Sequence, residues 1–275
     1  FYSNSGLISK FESTIKNNNY HAKESANLKN NKNVAELATA IGYTTYYPLE
    51  KKTDTYEKIL TPKFMLRYAP GGMRDLSNSQ LRLTTENLFS LNKLNNDDVI
   101  EDGASISVGS EYAYNNTINK AKNFKMSLGQ VFNLEENIDM PTQSSLNNRS
   151  SELVAKLDMN FNKNFALGYN LSADNNYKSI NYNEVNGLIK FKNLITQFDY
   201  LEENNFIGRN RSLSSSLSLE ISDSKKLGYK IRKNFVTDST EFYNLSYQYL
   251  TDCLTAGIEF NRSYYLDKDI EQEDA

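Results

Sequence analysis

A chain of 275 residues with a formal net charge of -3, charges of both signs interspersed and no basic stripe is not built to capture nucleic acid. Hydrophobic residues are 39%, Trp is absent, Tyr (19) outnumbers Phe (14) and the mean hydropathy is -0.64. No run of about eighteen apolar residues exists, which excludes a membrane-spanning helix but not a membrane barrel, whose hydrophobicity is hidden in alternation.

In chain order, 7–16 sets Leu7, Phe11 and Ile15 against Lys10, Glu12 and Lys16. A turn is expected at Asn17, Asn18 and Asn19, which tolerate positive φ, and then a more polar strand over 20–29 and a turn at 30–33. The 34–49 stretch reads as one long strand with Leu37, Ile41, Tyr43, Tyr47 and Leu49 on one face. Next, 56–69 places Leu60, Phe64, Leu66 and Tyr68 together, with Pro62 demanding a bulge or a missing ladder bond. Alternation disappears over 70–102, too long for an ordinary connection and therefore a functional or a mobile loop.

Strands resume at 103–114 and 123–132, separated by a second long loop, 133–150, from the clearest hairpin of the chain. Its arms carry Leu153, Ala155, Leu157, Met159 and Phe161, then Phe165, Leu167, Tyr169, Leu171 and Ala173, around a turn at Asn162, Lys163 and Asn164. Further strands are expected at 182–192, 194–203, 212–221 and 227–235. The last hairpin, 241–265, alternates Tyr243, Leu245, Tyr247 and Tyr249 against Asn244, Ser246 and Gln248, turns at Thr251 and Asp252, and returns through Leu254, Ala256, Ile258, Phe260 and Tyr264. No helix of ordinary length competes. The fold class is therefore all-β, an antiparallel up-and-down sheet of about fourteen strands.

The aromatic stripes suit either the core of a large soluble sandwich or a lipid-facing band with Tyr girdles at its edges. Two features favour lipid. Arms of about 9 to 12 residues match a tilted transmembrane strand, and alternate connections differ in length. Those at 251–252, 222–225, 193, 162–164 and 115–121 are mostly tight, whereas 236–240, 204–211, 174–181, 133–150 and 70–102 are longer. Outer-membrane barrels put tight turns in the periplasm and long loops outside, so Cys253 is expected at the periplasmic rim. The lipid-facing candidates are Leu153, Leu157, Phe161, Phe165, Leu167, Tyr169, Leu171, Tyr243, Leu245, Tyr247, Leu254, Ile258 and Phe260.

Catalytic chemistry finds little support. The only histidine, His21, has no serine elbow near it, and one His with one distant Cys makes no metal-ligand spacing. Acidic pairs at Asp97-Asp98, Glu135-Glu136 and Glu202-Glu203 read as solvated charge, and Gly71-Gly72 as a turn with no helix behind it to receive a phosphate. The lone Cys253 has no internal partner, which leaves a free thiol, an intermolecular bridge or a partner in sequence outside this chain, and its polar turn favours a disulfide. The opening FYSNSGLISKF lacks a signal-peptide pattern, so any secretory signal is expected upstream and the chain reads as a fragment.

Five blocks in order, LTPKFMLRYAPGGMR (60–74), DMPTQSSLNNRSSELVA (139–155), NYNEV (181–185), YLEENNFIG (200–208) and EFYNLSYQYLTDCLTAGIEFNRSYYLDKDI (241–270), resemble the carboxyl-terminal barrel region of the LPS-assembly outer-membrane proteins, the LptD family. The resemblance implies a partial transmembrane barrel, one domain over 1–275, cut from a barrel of about 26 strands. It further implies a periplasmic jellyroll domain and at least one closing strand outside this chain. It implies no enzymatic step and no cofactor or metal. The implied activity is transport and insertion of lipopolysaccharide into the outer leaflet of the Gram-negative outer membrane. Implied partners are lipopolysaccharide, an LptE-like plug lipoprotein in the lumen and a periplasmic LPS bridge protein reached through the jellyroll. The family also places a cysteine at the turn that holds Cys253 and bridges it to the periplasmic domain. Many members have two adjacent cysteines there, whereas this chain has Asp252-Cys253, so one bridge at most is expected. Read from the residues alone, a porin or hydrophobic-solute channel closed by an even strand count, and a soluble β-rich adhesin, stay open as alternatives.

Overall fold

The computed structural model describes residues 1–23, 31–79, 81–94, 98–204 and 210–263. Its strands are β1 (Ile8–His21), β2 (Asn33–Tyr46), β3 (Leu49–Lys52), β4 (Tyr56–Ala69), β5 (Gly103–Asn116), β6 (Asn123–Asn133) and β7 (Leu153–Asn162), followed by β8 (Phe165–Ala173), β9 (Ile180–Phe191), β10 (Leu194–Glu203), β11 (Asn210–Ser222), β12 (Lys225–Asn234), β13 (Ser239–Leu250) and β14 (Thr255–Ser263). They form one 14-stranded sheet in which each strand pairs with the next, β3 standing off the path as a short partner of β4. Neighbouring strands run antiparallel, as β1 with β2, β4 with β5 and β13 with β14, and among the described residues the one helical turn is the 3-10 segment Gln143–Ser145.

Register turns the alternation of each strand into rows that run across the sheet. Packing divides the chain into two compact units, Phe1–Met159 with Tyr169–Tyr182, and Asn160–Gly168 with the described residues of Asn183–Ala275. In the first unit Phe11, Tyr43, Leu66, Ile106 and Phe132 lie side by side on one face. On the other face the neighbouring row is Glu12, Gly42, Arg67, Ser105 and Asn133. In the second unit Leu194, Leu219, Leu227, Tyr247 and Ile258 make an apolar row, and Gln197, Ser216, Lys230, Asn244 and Asn261 a polar one.

Burial is inverted relative to a water-soluble sheet. Along β4 of the first unit the apolar Leu66 and Tyr68 are 45% and 51% exposed, while Arg67 between them is 4% exposed. Phe11 (62%), Ile258 (76%) and Phe260 (54%) are likewise open. In water, rows of this kind would cost about 25 cal/mol for every Å² of apolar surface left wet and would offer a large sticky patch. Against hydrocarbon the cost vanishes, and the ladder already satisfies the backbone.

Several sequence expectations need correction. No turn forms at Asn17 to Asn19, because β1 runs unbroken and pairs those residues with Leu37, Glu36 and Ala35 of β2. The separate strand expected over 20–29 is therefore not found up to His21, and residues 24–30 lie outside the described residues. The strand expected over 34–49 is interrupted at Tyr47 and Pro48 and resumes as β3. That break faces Pro62, which still accepts a bond from the Tyr47 N–H at 3.1 Å but has no N–H to return. The defect expected at Pro62 thus falls on its partner strand. About fourteen strands were expected and fourteen are found among the described residues, although one long strand replaces two and a four-residue strand is added.

With a bilayer on the exposed side, Leu245→Arg is expected to cost about 2–4 kcal/mol and the adjacent Ser246→Arg close to nothing. Urea titration of the full-length protein refolded into liposomes would test this, and equal costs at the two positions would refute the assignment of faces.

Candidate functional site

The buried matter of the first unit lies on its polar face, where the described residues of the 70–102 connection fold back as a strap over β2, β4, β5 and β6. Glycine makes the room. Gly42, Gly109 and Gly129 sit on β2, β5 and β6, and a Cβ at each would meet the strap: Leu91 Cδ2 at 2.6 Å from Gly42, Phe89 Cζ at 3.1 Å from Gly109, and Leu88 Cδ2 in direct overlap at Gly129. Three apolar side chains within four residues of the strap, Leu88, Phe89 and Leu91, therefore rest where the wall has none.

Apolar packing and local hydrogen bonds hold the strap's shape. Leu83, Leu88 and Leu94 share a core with Val131 of β6, Val154 of β7, and Met140 and Leu146 of the second long loop. Asn87 closes the strap on itself, donating from Nδ2 to the Arg82 and Lys93 carbonyls at 2.9 and 2.7 Å. The Leu83 N–H donates to Ser144 Oγ at 3.0 Å, with Ser144 held at a φ of 55°. Two contacts tie its edge to the wall. Lys156 Nζ meets Glu86 Oε1 at 2.7 Å, and Arg82 lies 3.8 Å from the centroid of the Tyr182 ring.

A buried ionic cluster fastens the other end. Lys93 Nζ approaches Glu101 Oε1 at 2.7 Å and donates to Ser105 Oγ at 3.1 Å, and Arg67 Nε approaches the same carboxylate oxygen at 3.1 Å. Arg67 also donates to the Leu91 carbonyl at 2.6 Å and to the Glu101 carbonyl. Lys93 is 0% exposed and Glu101 2%. Two cations thus share one carboxylate. Burial pushes the Lys93 ammonium below its usual range, Glu101 opposes this, and Arg67 adds to it. Because the unfolded chain holds that proton more tightly, the seated strap gains stability as pH rises toward the ordinary lysine value of 10.5.

Beside the strap, a cavity of about 620 Å³ is lined by Lys10, Lys63, Lys125 and Lys156 together with Glu12, Glu86, Glu111 and Asp158. Lys63 and Glu111 pair at 2.6 Å and Lys10 and Glu12 at 2.6 Å. A second cavity of about 650 Å³ opens toward the long-loop end, where Arg74 pairs with Glu36 at 3.1 Å and stands 5.7 Å from the Tyr20 ring. Both are polar recesses along the strapped face.

The thirteen lipid-facing candidates are all at least partly exposed. Leu153 and Leu157 lie on the face opposite Val154, which the strap's core buries. Cys253 is exposed in the tight turn after β13. His21 ends β1 with Nδ1 at 3.0 Å from Asn33 Oδ1. Glu203 is buried at the end of β10, Glu135 and Glu136 line a loop cavity, and Asp97 lies outside the described residues. The Arg67, Lys93 and Glu101 cluster was missed. Only the length of the 70–102 loop signalled it, since its charges have no spacing that marks them as partners.

An antiparallel wall with an exposed apolar face and a polar face covered by its own long connection is the wall of an outer-membrane barrel. A family profile described as LPS transport system D, LptD, matches residues 1–249, and the chain belongs to that transport family of the Gram-negative outer membrane. No curated protein matches. Among solved structures, one in the FpvAI–pyocin S2 complex is 13% identical over 94% of this chain and 43% of its own length, with a TM-score of 0.33. The chain thus spans less than half of that protein. A mutant porin of Rh. blastica is 8% identical over 93% of this chain and 100% of its own, with a TM-score of 0.26.

Glu101→Gln strands two buried cations and is expected to cost about 3–5 kcal/mol of strap stability, whereas Lys93→Met leaves the neutral Arg67–Glu101 pair and should cost clearly less. Protection of the strap from limited proteolysis in the full-length protein reads the difference. Equal losses would show that charge balance does not hold the strap.

Proposed function

We propose that this chain is the carboxyl-terminal part of the wall of a lipopolysaccharide export translocon, a single barrel domain that carries the glycolipid to the outer leaflet. The family match over residues 1–249 carries the reading. The faces support it. A glycolipid needs a polar path for its sugars and phosphates beside a wall that tolerates lipid on its other side, and every row described above has that division. In this reading the thirteen apolar candidates face hydrocarbon, an LptE-like lipoprotein fills the lumen, and a jellyroll domain receives lipopolysaccharide from a periplasmic bridge protein. Transport requires no bond to be made or broken.

Two observations weigh against a closed porin. The sheet path holds thirteen strands among the described residues once β3 is set aside, whereas single-chain bacterial barrels close with even numbers. The strap also occupies the polar face that a porin keeps open to water.

Cys253 is the proposed clasp. Its place in an exposed turn leaves the thiol reachable by a periplasmic domain, and with Asp252 beside it one bridge at most can form. Full-length protein from cells is expected to change its non-reducing gel mobility on Cys253→Ser and to deliver less lipopolysaccharide to the cell surface. Unchanged mobility would remove the clasp. Normal surface lipopolysaccharide in cells depleted of the protein would remove the transport reading.

A further inference from the structure

The tight-turn end of the second unit has a chemistry that transport leaves unexplained. Three successive turns at that end, after β7, β9 and β11, each present an exposed lysine: Lys163, Lys192 and Lys225. Turns at one end recur every second strand, so these cations stand about 10 Å apart along the rim. None of the three forms an ion pair among the described residues, while the nearby Lys226 is taken by Glu220 at 2.8 Å. Asp223 and Asp252 are the acidic residues within the tight turns of this end.

Each lysine sits where the apolar face stops. Phe161 and Phe165 stack across the first turn with ring centroids 4.9 Å apart. At the second, Phe191 is 66% exposed and Lys192 Nζ lies 5.7 Å from its ring centroid. Before the third, Ile221 is 53% exposed. The opposite end of the unit differs. There Lys233 is neutralised by Asp238 at 2.9 Å and Arg232 by Glu241 at 2.8 Å.

We infer that this rim binds the phosphates of anionic phospholipids in the leaflet that meets the tight turns, the lysines reaching the headgroups while the adjacent aromatic and aliphatic side chains stay at the acyl boundary. Spacing of about 10 Å is close to the Debye length at physiological salt, so the three charges act on neighbouring headgroups with little mutual repulsion. The inference rests on the reading that the apolar face meets lipid.

The full-length protein with its plug would be reconstituted in phosphatidylcholine vesicles with and without phosphatidylglycerol, and the lipids retained after mild extraction identified by native mass spectrometry. The wild type is expected to enrich phosphatidylglycerol, Lys192→Gln to lower the enrichment about fivefold at low salt, and the triple Gln variant at 163, 192 and 225 to abolish it. A triple Arg variant and Lys233→Gln should keep it, and heat-modifiable migration confirms that each variant is folded. No preference in the wild type, undiminished preference in the triple Gln variant, or capture of lipopolysaccharide phosphates in place of phosphatidylglycerol overturns the proposal while leaving the membrane reading intact. Failure of the wild type to insert into either vesicle overturns both.

Discussion

Backbone hydrogen bonding in a medium without water sets the terms for this protein. A strand whose side chains meet hydrocarbon can offer its N–H and C=O groups only to the strands beside it, so a wall has to be continuous, antiparallel and in register over many strands. Period-two alternation then does the sorting. In the first unit the register sets Phe11, Tyr43, Leu66, Ile106 and Phe132 in one row, with Glu12, Gly42, Arg67, Ser105 and Asn133 in the row on the other face. A slip of β4 by one residue would put Arg67 where Leu66 stands. The break at Tyr47 and Pro48 is placed where the sheet can bear it, opposite a proline that has no N–H to lose.

On the polar face the problem is the reverse. A strap that folds onto a polar wall has to bury charge, and the protein meets this by converging Lys93 and Arg67 on Glu101 and by directing the remaining donors of Arg67 to main-chain carbonyls. Buried ion pairs of this type contribute little net stability over a hydrophobic replacement, since desolvation offsets most of the attraction. Their consequence is geometric. The cluster accepts one arrangement of the strap, and the glycine seats at 42, 109 and 129 accept one set of side chains. Together they give a long connection a single position on the wall, with polar recesses left on either side of it.

Much of this was legible in the residues, and the reasons are local. Alternation in 153–173 and 241–260 identifies strands and faces without help from any other part of the chain, since a pleated strand has only two sides. The difference between tight and long connections could be read because turn residues such as Asn162, Asn164 and Asp252 announce themselves. The asparagine run at 17–19 misled for a matching reason. Asparagine favours turns, but its preference is worth little beside fourteen residues of ladder with β2. Likewise the sequence blocks that carry the family resemblance hold many of the residues that meet in space: Arg67 in the first, and Met140, Leu146 and Val154 in the second.

The all-β class, the strand faces, the order of tight and long connections and the place of Cys253 in a turn could be read from the residues, because each depends on residues within a few positions of one another. Folding in three dimensions was needed to show that the described residues of the 70–102 connection lie as a strap on the wall, that Lys93, Glu101 and Arg67 are partners, and that three separate glycines are its seats. Those contacts join residues some 8 to 49 positions apart, as Lys93 with Glu101 or Gly42 with Leu91. No period or motif encodes such a meeting; it follows from register, which sets distant strands side by side and only then fixes what a loop lying across them will touch.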